Sequence, residues 1–279
     1  MSPLARSRLV AALLLAAMLA PVAWAIFVNH GKGVRWWGGG TLAGIWAIQF
    51  LRDRVAVGRG PRGDAAQGLT LFVEPLAWLS IKWGFRRFLL AAEILKLSGR
   101  IEFFGWSGGW RGWTLLPELV CRKRNLGHAA RLAERLTEHA RAHPGSPIRM
   151  VAYSSGCFVA LEAVARLPQD VRVEKLVLLA PTVAPDCDLA AATTRSGKIV
   201  CVCSMGDFLI NGLATVALGT NDRRHALSAG MVGFSRRDGS ADESLRQVRW
   251  RPAMVRRGWF GGHFTVSSVA MLTDLLRSV

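Results

Sequence analysis

Apolar residues alternate or recur at helical spacing along most of this chain, and the two patterns take turns. Residues 68–73 (GLTLFV), bounded by Gly68 and Pro75, are a short apolar run that predicts a strand. Residues 76–97 predict a helix, and its Trp78, Trp83, Phe85 and Phe88 stand among Lys82, Arg86 and Arg87. Such a face can lie against lipid headgroups or simply pack on a sheet. Residues 101–104 predict a second strand, ending in the Gly- and Trp-rich loop GWSGGWRGW. A helix follows over about 126–142, with Leu132, Leu136 and Ala140 on one stripe and Arg131, Glu134, Arg135 and Glu138 on a solvated face. His139 and His143 belong to its polar end. Residues 148–153 read as a strand leading into FVALEAVARL, which has helical periodicity. The apolar runs 173–180 and 199–204 have the character of buried strands, 248–251 before Pro252 predicts the last strand, and 266–276 predicts a closing helix. Strands alternating with helices in this way predict an α/β domain, a mainly parallel sheet flanked by helices on both faces.

The first part of the chain has a different pattern. Residues 9–28 (LVAALLLAAMLAPVAWAIFV) carry no charge and are long enough to cross a bilayer as a helix. The same stretch, with Arg6 and Arg8 before it and Ala23-Trp24-Ala25 near its end, also fits a signal peptide cleaved after Ala25. A second uncharged run, 36–51, contains three consecutive glycines and is short for a full span, so one span or a two-helix hairpin is expected over residues 1–55. Arg6 and Arg8 precede the first run, Arg52, Arg54, Arg59 and Arg62 follow the second, and only Lys32 and Arg35 lie between. That bias places both ends, and the domain, in the cytoplasm at the inner membrane, with export after cleavage as the alternative. Residues 56–67 read as a linker and 68–279 as the α/β domain.

Composition adds two constraints. Of the 279 residues, 51% are apolar, enough to bury a substantial core without disulfides or metals. The odd set Cys121, Cys157, Cys187, Cys201 and Cys203 lacks C-x-x-C spacing and reads as small apolar residues, so no metal or cofactor is called for. Lys plus Arg number 36 against 19 Asp plus Glu, a net charge of +17. No helix-turn-helix, zinc-finger or RNA-binding signature accompanies that excess, so a membrane surface is the expected partner and nucleic acid is not.

Chemistry concentrates where strand 148–153 meets its helix. Ala152-Tyr153-Ser154-Ser155-Gly156 matches G-x-S-x-G with Ala in the first glycine place. Small residues at 152 and 156 let strand and helix pass closely and leave the Ser154 hydroxyl at the tip, beside the free N–H groups of a helix N-terminus. The bland alternative is a Ser capping a helix. A serine needs a base to take its proton and an acid to orient that base, and in this setting the chain order is Ser, acid, His. Asp207 lies just past the IVCVCS strand, and His263, in GWFGGHF, follows the last strand. Singly, Asp207 could cap a helix and His263 could be a loop residue. Asp222, farther from any strand, is the reserve acid.

These elements resemble the α/β-hydrolase fold from about residue 68 onward. LLAPTVAPDCDL (178–189), LGTNDRRHALSAGMVGF (218–234) and GWFGGHF (258–264) look like a bacterial subgroup of serine hydrolases within it. The resemblance implies nucleophile, acid and base at Ser154, Asp207 and His263, and esters or similar acyl compounds, small-molecule or lipid, as substrates. Two departures stand out: Glu74-Pro75-Leu76 occupies the place of the usual Gly-rich oxyanion loop, and Tyr153 stands where His is common. Pro75 has no N–H to donate, so the oxyanion donors expected are the N–H of Ser155 and that of Leu76 or a group in loop 105–109. A membrane-attached esterase or lipase-like enzyme working through an acyl-enzyme is the function expected. The alternative is a weak or inactive relative that binds a lipid or protein partner.

Overall fold

The computed structural model describes residues 62–74, 83–106, 121–235 and 244–277. The apolar runs 9–28 and 36–51, Leu76, Trp78 and most of the Gly- and Trp-rich loop lie outside these residues, and the described helices include none long and apolar enough to cross a membrane.

The six strands are β1 (Leu69–Glu74), β2 (Arg100–Gly105), β3 (Ile148–Tyr153), β4 (Val173–Leu179), β5 (Ser196–Cys203) and β6 (Leu245–Arg249). They form one sheet in the order β2-β1-β3-β4-β5-β6, and every neighbouring pair is parallel. Parallel neighbours require crossovers, and helices supply them: α1 (Trp83–Ile94), α2 (Arg122–Ala142), α3 (Gly156–Ala165), α4 (Ala190–Arg195) and, after β6, α7 (Val269–Arg277). Two four-residue helices, α5 (Thr215–Leu218) and α6 (Ala229–Val232), lie in the β5–β6 crossover. The strand order reverses direction between β1 and β3, which opens a crevice beyond their carboxyl ends.

Central strands β1, β3, β4 and β5 are buried almost throughout, so they read as continuous apolar runs rather than alternating ones. One face packs Leu71, Met150, Leu176 and Cys201 against Leu132, Leu136 and Phe158 of α2 and α3. On the opposite face Phe72 meets Phe85 and Phe88 of α1, with ring centroids 6.0 and 5.2 Å apart, and α7 packs beside α1. Phe85 and Phe88 are therefore sheet-packing residues and not a lipid-facing surface. Cys157, Cys201 and Cys203 are buried free thiols, as small apolar residues would be.

Several expected boundaries shift. The described part of the first helix begins at Trp83, where the buried Glu74 carboxylate accepts from the N–H groups of Gly84 and Phe85 and so caps it. The last strand is Leu245–Arg249 rather than 248–251, because its pairing with β5 starts at Leu245 opposite Ile199. The polar stripe of α2 is not wholly solvated: Arg135 makes a two-pronged pair with Glu102 of β2 at 2.6 and 3.2 Å. His139 is buried and bonds Ser146 at 3.0 Å, closing the turn into β3.

Phe88 is fully buried between sheet and helix, so Phe88→Ala should lower unfolding free energy by about 3–5 kcal/mol in urea denaturation. An unchanged midpoint would contradict this packing.

Candidate active site

The backbone at the end of β3 cannot turn into α3 without strain. Ser154 has φ +56°, in the left-handed region that side chains with a Cβ rarely adopt. Its N–H donates to Leu179 O and its carbonyl accepts from Cys157 N, so both neighbours hold the strained residue in place. The turn also needs a glycine two residues on: a Cβ at Gly156 would stand 2.5 Å from Val73 O of β1. The small residue at 156 is thus demanded by the close approach of α3 to the adjacent strand.

The hydroxyl delivered there meets the other two expected residues. Ser154 Oγ lies 3.0 Å from His263 Nε2, and His263 Nδ1 lies 2.7 Å from Asp207 Oδ2. With Nδ1–H donating to the carboxylate, Nε2 is left to accept from the serine. All three are buried, at 5, 8 and 3% exposure, yet they come from the ends of β3, β5 and β6. The reserve acid is elsewhere: Asp222 Oδ1 accepts from Ala184 N and ties two loops together.

Asp207 does two jobs that the sequence presented as alternatives. It is the N-cap of a π-helix, Phe208–Ala214, and it is the carboxylate facing His263. Asn211, one turn on, was not anticipated. Its side-chain N–H group donates to Asp207 Oδ2 at 2.5 Å and to Ala180 O at 3.2 Å, while its oxygen accepts from Ser228 Oγ at 2.6 Å. It is fully buried, and the same Nδ2 lies 3.3 Å from His263 Nδ1, so it braces the carboxylate oxygen that His263 also meets. The only trace in the sequence is a four-residue Asp-to-Asn spacing, which any helix cap could give.

Tyr153 and Arg87 hold the histidine loop. The Tyr153 hydroxyl donates to His263 O at 3.1 Å, and its ring stacks near the imidazole with centroids 5.2 Å apart. Burial, then the charges of Glu74 and Asp207, push the Tyr153 pKa well above its usual value, so the phenol keeps the proton it donates. Arg87 Nη1 of α1 donates to Phe264 O at 2.7 Å and to Ser267 Oγ at 3.3 Å. Trp250 Nε1 donates to Trp259 O, and a Cβ at Gly206 would meet Gly261 O at 3.1 Å, so the loops after β5 and β6 press together.

Of the two expected oxyanion donors, Ser155 is the N-cap of α3, fully buried beside Ser154, and Leu76 lies outside the described residues. Glu74, in the place of the usual Gly-rich loop, spends its carboxylate on the α1 N-terminus.

A parallel sheet whose central strand turns through a left-handed serine into a helix, with Asp and His following later strands, fits the α/β-hydrolase fold that the sequence resembles. Among solved structures the chain is similar to a hydrolase of the alpha/beta superfamily from Xanthomonas campestris pv. campestris, at 19% identity over 76% of this chain and 99% of that one, with a TM-score of 0.41. It is also similar to the mature form of the Bacillus licheniformis lipase BlEst2, at 13% identity over 78% of this chain and 93% of that one, with a TM-score of 0.40. No family model and no curated protein matches the chain.

Asn211→Ala would remove bonds to Asp207 Oδ2, Ala180 O and Ser228 Oγ, but Asp207 keeps His263 and Ser228 keeps the backbone carbonyl of residue 211. Unfolding free energy measured in urea should fall by about 1–3 kcal/mol, the cost of an orphaned buried group. A loss under about 1 kcal/mol would show that Asn211 does not hold the site together.

Proposed function

We propose that this protein is a serine hydrolase that cleaves acyl esters through an acyl-enzyme. The single observation that carries the reading is the continuous relay from Ser154 Oγ through His263 to Asp207 at 3.0 and 2.7 Å, built on a strained serine. In this reading Ser154 attacks the ester carbonyl while His263 Nε2 takes its proton and later returns it to the departing alcohol. Asp207 keeps Nδ1 protonated and stabilises the imidazolium. Water then attacks the acyl-enzyme by the same proton route, releasing the acid. The Ser155 N–H supplies one oxyanion donor and Leu76 N–H the second.

The surface around the relay supports an apolar acyl or alcohol group. Met205, Phe208 and Leu209 flank Asp207 at 63, 51 and 70% exposure, and Phe264 follows His263 at 50%. Exposed apolar side chains at that density beside buried polar groups favour a ligand with a polar centre and an apolar limb. The apolar runs 9–28 and 36–51 and the arginines around them support a domain held at the cytoplasmic face of a membrane.

A binding protein that turns nothing over is the second reading, and Glu74-Pro75 favours it, because that pair leaves the first oxyanion position without the usual backbone donor. Turnover of p-nitrophenyl esters separates the two. Wild type should hydrolyse the butyrate, and Ser154→Ala and His263→Ala should each lose about a thousandfold or more in kcat. Wild-type rates equal to those of both variants would leave the binding reading. Butyrate should be preferred to acetate by up to about fifteenfold in kcat/KM, the value of two buried methylenes, and Leu209→Asp should erase that preference while sparing acetate. The full-length chain should pellet with membranes after a high-salt wash, and release into the supernatant would contradict membrane attachment.

A further inference from the structure

A cavity lies at the edge of the sheet opposite Ser154. It has a volume of about 280 Å³, between the sheet, the end of α1 and the end of α7. Water's share of liquid volume, roughly 30 Å³, makes that room for about nine or ten non-hydrogen atoms.

Strand register gives this cavity its charge. Arg149 of β3 stands beside Lys175 of β4, and Lys175 beside Lys198 of β5. Arg246 of β6 stands beside Val200, two residues farther along the same strand as Lys198. Register partners and residues two apart point to one side of a sheet, so the four cations share a face. It is the face of α1 and α7, because the next row toward the carboxyl edge is Phe72, Val151, Val177 and Val200, and Phe72 stacks on α1. Like charges directly opposite one another in a sheet are destabilising, so the row Arg149, Lys175 and Lys198 costs folding energy, with Arg246 one row on beside Val200.

Two described contacts moderate it. Glu174 pairs with Arg149 at 2.8 Å, and Lys175 Nζ donates to Leu275 O near the C-terminal end of α7, where the helix dipole favours a cation. Lys175 is nevertheless 2% exposed, and burial followed by the charges of Lys198, Arg246 and Arg149 lowers its pKa to about 8. It still carries its charge at neutral pH. Cavity walls combine that cation, Arg149 and Arg277 with the apolar side chains of Leu95, Leu97, Val151 and Leu276.

We propose that this cavity is a binding site for a small anionic amphiphile, a medium-chain carboxylate, whose head group meets Lys175, Arg149 and Arg277 while its chain lies on Leu95 and Leu97, just past α1, and Leu276 of α7. Arg149, Lys175 and Arg277 in the walls supply the reason for an anion, and the apolar walls and volume supply the reason for a short chain attached to it. The site does not use the serine and stands whether or not esters are hydrolysed.

Calorimetric titration of the full-length protein with sodium octanoate tests it. Octanoate should bind saturably at one site and weaken as salt rises, while acetate, inorganic phosphate and octanol, each lacking one half of the chemistry, should bind at least about tenfold more weakly. Lys175→Met should weaken octanoate by about tenfold or more. Arg277→Ala, on an exposed helix end, should weaken it by less and keeps the test open if the buried substitution fails to fold. Leu209→Asp, exposed on the π-helix that Asp207 caps, should leave octanoate binding unchanged. Absence of saturable octanoate binding, equal affinity for acetate, phosphate or octanol, or sensitivity to Leu209→Asp in place of Arg277→Ala would overturn the assignment.

Discussion

The close passage of α3 over β1 governs this molecule. Because Gly156 has no Cβ, the helix can settle against Val73 O, and Ser154, two residues before it, takes φ +56°. That strain points the Ser154 hydroxyl out over the carboxyl edge of the sheet rather than into the helix N-terminus as a cap. A larger side chain at 156 would push α3 away and relax the turn, and the hydroxyl would lose its aim at His263. The cost of a left-handed serine, of order 1–3 kcal/mol, is carried by a sheet whose central strands are almost wholly buried.

Around that point the partners are fixed by backbone groups as much as by side chains. Asp207 is set by the π-helix it caps and by Asn211, and His263 by the Tyr153 hydroxyl on its own carbonyl and by Arg87 one residue on. Tyr153 is adjacent to the serine, so strand β3 positions both ends of the Ser–His contact at once. A two-turn apolar segment follows Asp207 and one aromatic follows His263, so the loops that bring the polar groups inward also present Phe208, Leu209 and Phe264 outward. Polar relay and apolar rim are consequences of the same loops.

Much of this was readable in the residues, and the reasons differ by element. Strands β1, β3, β4 and β5 are central, so burial on both faces wrote them as apolar runs. Strand β6 is at an edge, half exposed, with Arg246 and Arg249 in it, and its start was missed because no apolar run marks it. That Ser154, Asp207 and His263 meet is expected from chain order and from their places after strands, a signal local enough to survive in one sequence. Asn211, Tyr153 and Arg87 act on partners 4, 110 and 177 positions away. Only the fold reveals the last two, and the first looks like any helix cap. The cationic row escaped for the same reason: Arg149, Lys175 and Lys198 are ordinary single charges until strand register aligns them.

The central claim is that the Ser154 hydroxyl is a nucleophile, and intact-mass spectrometry after exposure to a fluorophosphonate tests it most directly. One adduct per chain, mapped by peptide sequencing to Ser154 and prevented by prior unfolding in urea, is the predicted result. No adduct on the folded protein, or an adduct on another residue, would contradict the account.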